Sequence, residues 1–261
     1  APDYETKSSY TATVTAADGT NSTTQDITVN VTDVNDVPVF TSGSIFSAAE
    51  NQTAIGTVTA TDDEGEGVTF TVSGSELAIT LAGVLTFASA PDYETKSSYT
   101  ATVTASDDTN STSQEITVNI TDVNEVPVFT SSATFSAAEN QTAIGTVTAT
   151  DADGDSVTFT VSGSELAITT AGVLTFVSAP DFETKTIYTA TVTASDGTNS
   201  TTQSITVNVT DVNEAPAFTS NATFSAAENQ TAIGTVAATD PESETVRFSL
   251  SSVTELSIDS S

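Results

Sequence analysis

The chain has 261 residues, of which 37% are hydrophobic, 15% are charged and 7% are aromatic, and its formal net charge is −31. The chain contains no Cys and no His, and this composition excludes thiol nucleophiles, Ser/His/Asp triads, zinc sites and cysteine-based redox chemistry. The negative charge argues against binding to nucleic acids or anionic membrane surfaces, and no apolar stretch approaches the ~20 residues of a membrane span.

The sequence repeats itself with a period of 89 residues. The phrase PDYETK begins at Pro2 and Pro91, and its variant PDFETK begins at Pro180. The phrases AENQTAIGTV and TDVN recur at the same interval. A unit of this size is too long for a solenoid turn, and it is typical of one small β-domain.

Within the unit 38–126, apolar residues alternate with polar ones. Short alternating runs lie around residues 58–60, 70–72, 77–79 and 85–87, and longer ones span 99–105 and 116–120. β-Branched residues dominate these runs, and Gly, Asn, Asp and Pro separate them. The pattern predicts about seven short antiparallel strands per repeat that close into a β-sandwich. It also argues against the disorder that high acidity with few aromatics would otherwise allow.

Prolines that cannot donate to a sheet mark the predicted boundaries, at Pro38, Pro127 and Pro216. They give complete repeats at 38–126 and 127–215, the C-terminal part of a repeat at 1–37 and the N-terminal part of another at 216–261. We expect a window from a longer array. The alternative is that the two part-repeats complement each other between chains.

Acidic residues recur at five places in each repeat. These are a Glu after two alanines, an Asp-x-Asp/Glu pair, an Asp-aromatic-Glu, a lone Asp after Thr-Ala-Ala/Ser, and the segment Asp-Val-Asn-Asp/Glu before each proline. Asp and Asn also favour turns for backbone reasons, which could explain any single motif. Five motifs at fixed spacing, each beside a predicted strand end, instead favour a hard divalent cation. Calcium suits them best, because it takes six to eight oxygen ligands.

This set of motifs resembles the cadherin repeat over the whole chain. AENQT is similar to the family's base-glutamate motif, TDADG to its Asp-x-Asp motif, PDYE to its Asp-x-Glu motif, ASDG to its single-Asp motif and TDVNEVPVF to its linker. The resemblance implies tandem seven-stranded Greek-key, immunoglobulin-like β-sandwiches, with about three Ca²⁺ ions at each complete junction. The style of the repeats is more similar to bacterial cadherin-like repeats of large surface proteins than to the animal proteins.

By that resemblance, the ligands gather around three segments that we call the first linker (33–37), the middle linker (122–126) and the third linker (211–215). The ligands implied for the first linker are Asp3, Glu5, Asp33, Asn35, Asp36, Asp62, Glu64 and Asp107. Those for the middle linker are Glu50, Asp92, Glu94, Asp122, Asn124, Glu125, Asp151, Asp153 and Asp196, with main-chain carbonyls near Val123 and Val126. Those for the third linker are Glu139, Asp181, Glu183, Asp211, Asn213, Glu214, Asp240 and Glu242.

We therefore expect an extracellular or cell-surface rod that calcium stiffens and that spaces or presents an adhesive element in adhesion or biofilm. One alternative is a module that binds other copies of itself or a polysaccharide, although exposed aromatics for sugar stacking are scarce. Another is a fibre in which residues 216–261 of one chain complete residues 1–37 of the next. Catalysis by paired carboxylates is the weakest hypothesis, because the same set recurs at every junction with no pocket implied.

Overall fold

The computed structural model describes residues 1–251 and 255–259, and these residues form strands, turns and loops. They contain no helix, and hence none that is long and apolar enough to cross a membrane. The chain divides into two compact units, Ala1–Val123 and Asn124–Ser261. The predicted part-repeat 216–261 includes residues 252–254 and 260–261, which lie outside the described residues.

The first unit contains eleven strands. They are β1 (Ser9–Ala17), β2 (Ser22–Asn30), β3 (Val39–Phe40), β4 (Ile45–Ala49), β5 (Ala54–Thr57), β6 (Ala60–Thr61), β7 (Thr69–Val72), β8 (Leu77–Ile79), β9 (Val84–Phe87), β10 (Ser98–Ser106) and β11 (Ser111–Thr121).

The described part of the second unit repeats this order. Its strands are β12 (Val128–Phe129), β13 (Thr134–Ala138), β14 (Ala143–Thr146), β15 (Ala149–Thr150), β16 (Thr158–Val161), β17 (Leu166–Ile168), β18 (Val173–Phe176), β19 (Ile187–Ser195), β20 (Ser200–Thr210), β21 (Ala217–Phe218) and β22 (Ala238–Thr239).

Strands β3 to β11 build a sandwich around one apolar core. One layer is the four-stranded sheet β4-β11-β10-β7, and the other holds the sheet β5-β9-β8 and the pair β3-β6. Leu85 of β9, Val103 of β10 and Ile116 of β11 are each at most 1% exposed in this core. The second unit repeats the arrangement with β12 to β20, so the predicted all-β sandwich fold is confirmed.

Two details of the strands differ from the prediction. The first strand of the sandwich is split into β3 and β4, and the second into β5 and β6. The segments β3 to β11 therefore number nine, where about seven strands were predicted. In addition, β4 pairs with β11 in parallel, as β13 does with β20, so the prediction of purely antiparallel pairing was wrong. After β3 pairs with β6 in one layer, the chain crosses to the other layer, where β4 lies along β11. Alternation of apolar residues reports which face is buried and carries no information on the direction of the neighbouring strand.

Burial depends on the packing partner as well as on the pattern. The hairpin β1–β2 has nearly the same sequence and the same register as β10–β11, which lies 89 residues later. Val14 in β1 is 49% exposed, whereas its counterpart Val103 in β10 is fully buried. The difference follows from the opposing sheet, which covers the inner face of β10–β11.

A glycine with positive φ allows the turn between β8 and β9 to approach the neighbouring backbone. Gly83 has a φ of +84°, and a Cβ atom there would lie 2.1 Å from the carbonyl oxygen of Val58. Gly172 repeats the arrangement in the second unit, with a φ of +87° and 2.2 Å to the Val147 oxygen. A side chain at either position would strain the backbone and overlap it, so these glycines allow the turn to pack against the neighbouring segment of the same layer.

Candidate metal centres

The acidic motifs lie where strands end. The base glutamates Glu50 and Glu139 directly follow β4 and β13, the middle linker follows β11, and the third linker follows β20. The Asp-x-acid pairs follow β6, β15 and β22, and the single aspartates Asp107 and Asp196 follow β10 and β19. Strand pairing brings the base glutamate and the following linker to one end of each sandwich. It brings the Asp-x-acid pair and the single aspartate to the other end, against the preceding linker.

The base glutamates Glu50 and Glu139 are buried, and each ties two other motifs together. Glu50 is 3% exposed, and its carboxylate accepts the backbone N–H of Tyr93 at Oε2 and that of Val123 at Oε1, both at 2.8 Å. Glu139, also 3% exposed, accepts the N–H groups of Phe182 and Val212 at the same distances. The glutamate therefore joins the Asp-x-Glu loop to the start of the following linker, a structural role that the sequence prediction missed.

Carboxylates converge at the first linker. Carboxylate oxygens of Glu5, Asp33 and Glu64 all lie within 4.8 Å of one another. Asp36 donates its backbone N–H to Glu64 Oε1 at 3.2 Å, which brings the linker against the Asp-x-acid pair. Partial desolvation and the neighbouring Asp62 carboxylate raise the pKa of Glu64. Like charges held this close favour a bound proton or a bound cation.

A larger group forms at the third linker. Oxygens of Glu139, Glu183, Asp211 and Glu242 lie within 4.8 Å of one another. Desolvation, followed by the charges of the other three, raises the pKa of Glu183. Glu214 is also drawn in: its backbone N–H donates to Glu242 Oε1 at 3.2 Å, and its Oε1 accepts the side-chain amide of Asn140. Contact with the Glu242 carboxyl raises the pKa of Glu214.

The predicted residues of the middle linker fall in both units, and each set is described within its own unit. In the first unit, Glu50 makes the contacts above, and Asp92, Glu94 and Asp122 are exposed. In the second unit, the N–H of Glu125 donates to Asp153 Oδ2 at 3.0 Å, and Asp151 Oδ1 accepts the N–H of Asp155 at 3.3 Å.

Several predicted ligands hold their own loops. The first aspartate of each Asp-x-Glu motif accepts the backbone N–H three residues later, with distances from 2.9 to 3.1 Å at Asp3, Asp92 and Asp181. Asp240 likewise accepts the N–H of Glu244 at 3.1 Å, and the Asn213 amide donates to the Glu214 carbonyl at 3.0 Å. None of these four aspartates belongs to an acid cluster among the described residues.

The single aspartates are held by the linker asparagines. Asn35 donates its side-chain amide to Asp107 Oδ2 at 3.0 Å, and Asn124 donates to Asp196 Oδ2 at 2.9 Å. Backbone N–H groups, that of Asn110 foremost, lower the pKa of Asp107, and the Asn124 amide lowers that of Asp196. Both aspartates therefore stay ionised at neutral pH.

The single aspartates Asp107 and Asp196 also contact Asn110 and Asn199, which the sequence prediction missed. The available signal was an asparagine three residues after each single aspartate.

The oxygen atoms available as ligands fit a hard cation such as calcium. Asp62 Oδ2, Glu64 Oε2, Asp151 Oδ2 and Asp153 Oδ1 are each buried, and no donor among the described residues reaches them. Buried polar atoms are normally hydrogen-bonded, so oxygens left in this way at the strand ends require an explanation. Because the set offers carboxylate and amide oxygens, calcium would supply the missing positive charge without His or Cys.

The raised pKa values predict opposite pH effects with and without calcium. In chelator, Glu64, Glu183 and Glu214 take up protons more readily when folded than when unfolded, so stability should rise as the pH falls from 7 towards their ordinary 4.5. The lowered pKa values of Asp107 and Asp196 cost stability only below their ordinary 3.8, outside this window. Contact with Glu214 lowers the pKa of Glu242, and that shift costs stability only near and below its ordinary 4.5, at the lower edge of the window. With calcium bound, protons compete with the ion, so the stability that calcium adds should shrink over the same range. Thermal melts at both pH values measure this, and equal trends with and without calcium would contradict it.

Comparisons with known proteins give consistent matches. A family model described as a bacterial Ig domain matches residues 124–210. The chain is 31% identical, over 92% of its length, to the Protocadherin-like wing polarity protein stan of Drosophila melanogaster, and it spans 8% of that relative. Among solved structures, the Protocadherin GammaB4 extracellular domain matches with a TM-score of 0.57 and 26% identity, over 92% of this chain and 44% of that one. Mouse Cadherin-23 EC22-24 shares the fold, with a TM-score of 0.52, 24% identity and 78% of each chain covered.

Proposed function

The chain is composed of cadherin-like repeats, and from that premise we propose that it is part of an extracellular adhesion protein whose linkers bind calcium. About three ions at each complete linker would stiffen the array, so that it spaces or presents an adhesive element at a cell surface. The match to a bacterial Ig-domain model supports a bacterial surface as the setting. Since the similar proteins are cadherins and not enzymes, a catalytic role has no support.

One observation carries the proposal: buried carboxylate oxygens lie at the strand ends where no donor among the described residues reaches them. The Asp62 and Glu64 pair is the clearest case, because each keeps one buried oxygen that no described donor reaches. Two like charges at ~4 Å repel by roughly 1 kcal/mol in water and about 4 kcal/mol at an effective dielectric of 20. A divalent cation between the carboxylates adds attractive terms that outweigh this repulsion, which is why its binding would stabilise the linker.

The residues of each cluster come from different parts of the chain, and this links binding to stiffness. At the first linker, Glu5 precedes β1, Asp33 follows β2 and Glu64 follows β6. An ion that all three contact would hold the linker against residues on both sides of it. The middle linker carries the same residue types at the same spacing, so on sequence grounds the proposal includes it. Contacts with other copies of the chain are a further proposed interaction of the parent protein.

The test is a calorimetric calcium titration of the whole chain, compared with magnesium. We expect several calcium ions to bind in the micromolar to millimolar range of Ca²⁺ sites, and magnesium to bind more weakly because it dehydrates reluctantly. Glu64→Gln should reduce the number of bound ions, whereas the matched control Glu115→Gln, on the exposed face of β11, should not. Heats equal to those of buffer at millimolar calcium would overturn the proposal.

Small-angle scattering tests the stiffening separately from the binding. We expect the chain to become more flexible when a chelator removes calcium, while its circular dichroism keeps the β-sheet signal. Identical scattering curves with and without bound calcium would leave a calcium site but remove its proposed role in stiffening.

A further inference from the structure

Two asparagines outside the acid motifs reach back to the linker that precedes their sandwich. In the first unit, the side-chain amide of Asn110 donates to the carbonyl oxygens of Asn35, at 2.9 Å, and Asp36, at 3.2 Å. In the second unit, Asn199 donates to the carbonyl of Asn124 at 3.0 Å. The Asn110–Asn35 and Asn199–Asn124 contacts each join residues 75 positions apart, and their distances agree to within 0.1 Å.

The loop that presents Asn110 is fixed by a buried aspartate. Asp107 is 4% exposed, and its Oδ1 accepts the backbone N–H groups of Thr109 at 2.7 Å and Asn110 at 2.6 Å. Asp196 holds Thr198 and Asn199 in the same way, at 2.6 Å each. The asparagine therefore starts from a defined backbone position at the end of the β10–β11 or β19–β20 hairpin.

The linker asparagine Asn35 in turn donates hydrogen bonds, one of them to the loop that carries Asn110. Asn35 donates its amide to Asp107 Oδ2 at 3.0 Å and to the carbonyl of Asp36 at 2.7 Å. Side-chain amides thus cross in both directions between loop 107–110 and residues 35–36. All of these bonds are made by protein groups alone, so they do not depend on a cation.

We propose that Asn110 and Asn199 are positioning residues, which hold the main chain of the first and middle linkers in place before cations bind. This inference rests on the proposed calcium sites and adds residues that are not themselves ligands. Ordering the linker in advance removes part of the entropy cost of binding. The residue must be a neutral donor: an aspartate there would set carboxylate oxygens against carbonyl oxygens and would lack the N–H groups.

Amide hydrogen exchange of the whole chain in chelator tests the hold on the linker. We expect Asn110→Ala to speed exchange in residues 33–37 by about tenfold, the equivalent of roughly 1.4 kcal/mol for lost hydrogen bonds. Asn110→Asp keeps the shape and loses the donor, so it should speed exchange as well. The matched control Asn119→Ala, an exposed asparagine of the same β11 strand, should leave the linker unchanged. If Asn110→Ala fails to fold, Asn199→Ala and the amides of residues 124 and 125 serve instead.

A calcium titration followed by residue-resolved NMR tests the effect on the ion site. In Asn110→Ala, calcium affinity at the first linker should fall by about three- to tenfold, while the third linker keeps its wild-type affinity. Equal losses at both linkers would indicate general destabilisation and overturn the positioning role, as would wild-type exchange in Asn110→Asp. If the wild type shows no calcium response, the proposed function fails, and the exchange experiment in chelator still decides whether the asparagine holds the linker.

Discussion

Saturating calcium is expected to raise the thermal unfolding midpoint of the chain by roughly 10 °C relative to the same protein in chelator. A ligand that binds only the folded state adds about 4 kcal/mol at a thousand times its dissociation constant, and about 1 kcal/mol shifts the midpoint of a 150–250-residue protein by roughly 2–4 °C. The acid clusters of the first and third linkers each offer a site for such binding. Relief of carboxylate repulsion adds to the effect, because the chain carries a formal charge of −31.

Differential scanning calorimetry with calcium, with magnesium and with chelator measures this shift. Magnesium at the same concentration controls for general screening of charge, and it should give a smaller shift because it prefers fewer carboxylates and retains water. Sodium chloride at matched ionic strength controls for screening alone. Superimposable transitions in calcium and chelator would contradict the expectation, and a shift that sodium reproduces would assign it to screening.

Sequence alternation was enough to predict the sandwich because one face of each strand is buried. Val103 and Ile116 occupy inward positions on adjacent strands, and both are buried as the pattern indicates. The same pattern does not account for the exposure of Val14, because burial requires an opposing sheet as well as an apolar face. It also failed to predict the parallel pairing of β4 with β11, since strand direction depends on where the chain crosses between layers.

The residue types of the candidate site could be predicted, and their hydrogen bonds could not. Asp33 and Glu64 stand in recognisable motifs, and their convergence follows from two strand ends meeting. The sequence does not reveal that Asp107 uses both oxygens for protein donors, or that Asn110 reaches the linker carbonyls. Such bonds depend on the backbone path of two loops that are distant in sequence. Because the side chains are short, a displacement of about an ångström decides whether the bond can form.

The acidic residues differ in side-chain length between the linkers, and the effect of that difference on their contacts could not be predicted from the sequence. The first linker combines Asp36 with Glu64, whereas the third combines Glu214 with Glu242. From the sequence, an extra methylene only changes reach. In the structure, Glu214 uses that reach to accept the amide of Asn140, which directly follows the base glutamate. The substitution therefore alters which neighbour the carboxylate contacts, and it leaves the backbone bond from the linker to the Asp-x-acid pair in place.

Replacing the base glutamate Glu139 with glutamine is expected to destabilise the second unit by about 1–3 kcal/mol even in chelator. The two carboxylate oxygens accept the N–H groups of Phe182 and Val212, both at 2.8 Å, in a site that is 3% exposed. Glutamine offers one oxygen and one NH₂ group, so in either orientation one backbone donor faces another donor. Loss of the negative charge should also reduce the stability that calcium adds.

Urea unfolding of the whole chain, with and without calcium, measures both effects. Glu165→Gln is the matched control, because it makes the same change in charge at a half-exposed carboxylate that pairs with Lys185 on the surface. Surface pairs contribute about 0–1 kcal/mol, so this control should unfold close to the wild type. If Glu139→Gln behaves like the control in chelator, the expected loss of stability is contradicted, and relief of repulsion from Glu183, Asp211 and Glu242 then offsets the lost hydrogen bond. If it behaves like the control only in its response to calcium, Glu139 supports the linker without binding the ion.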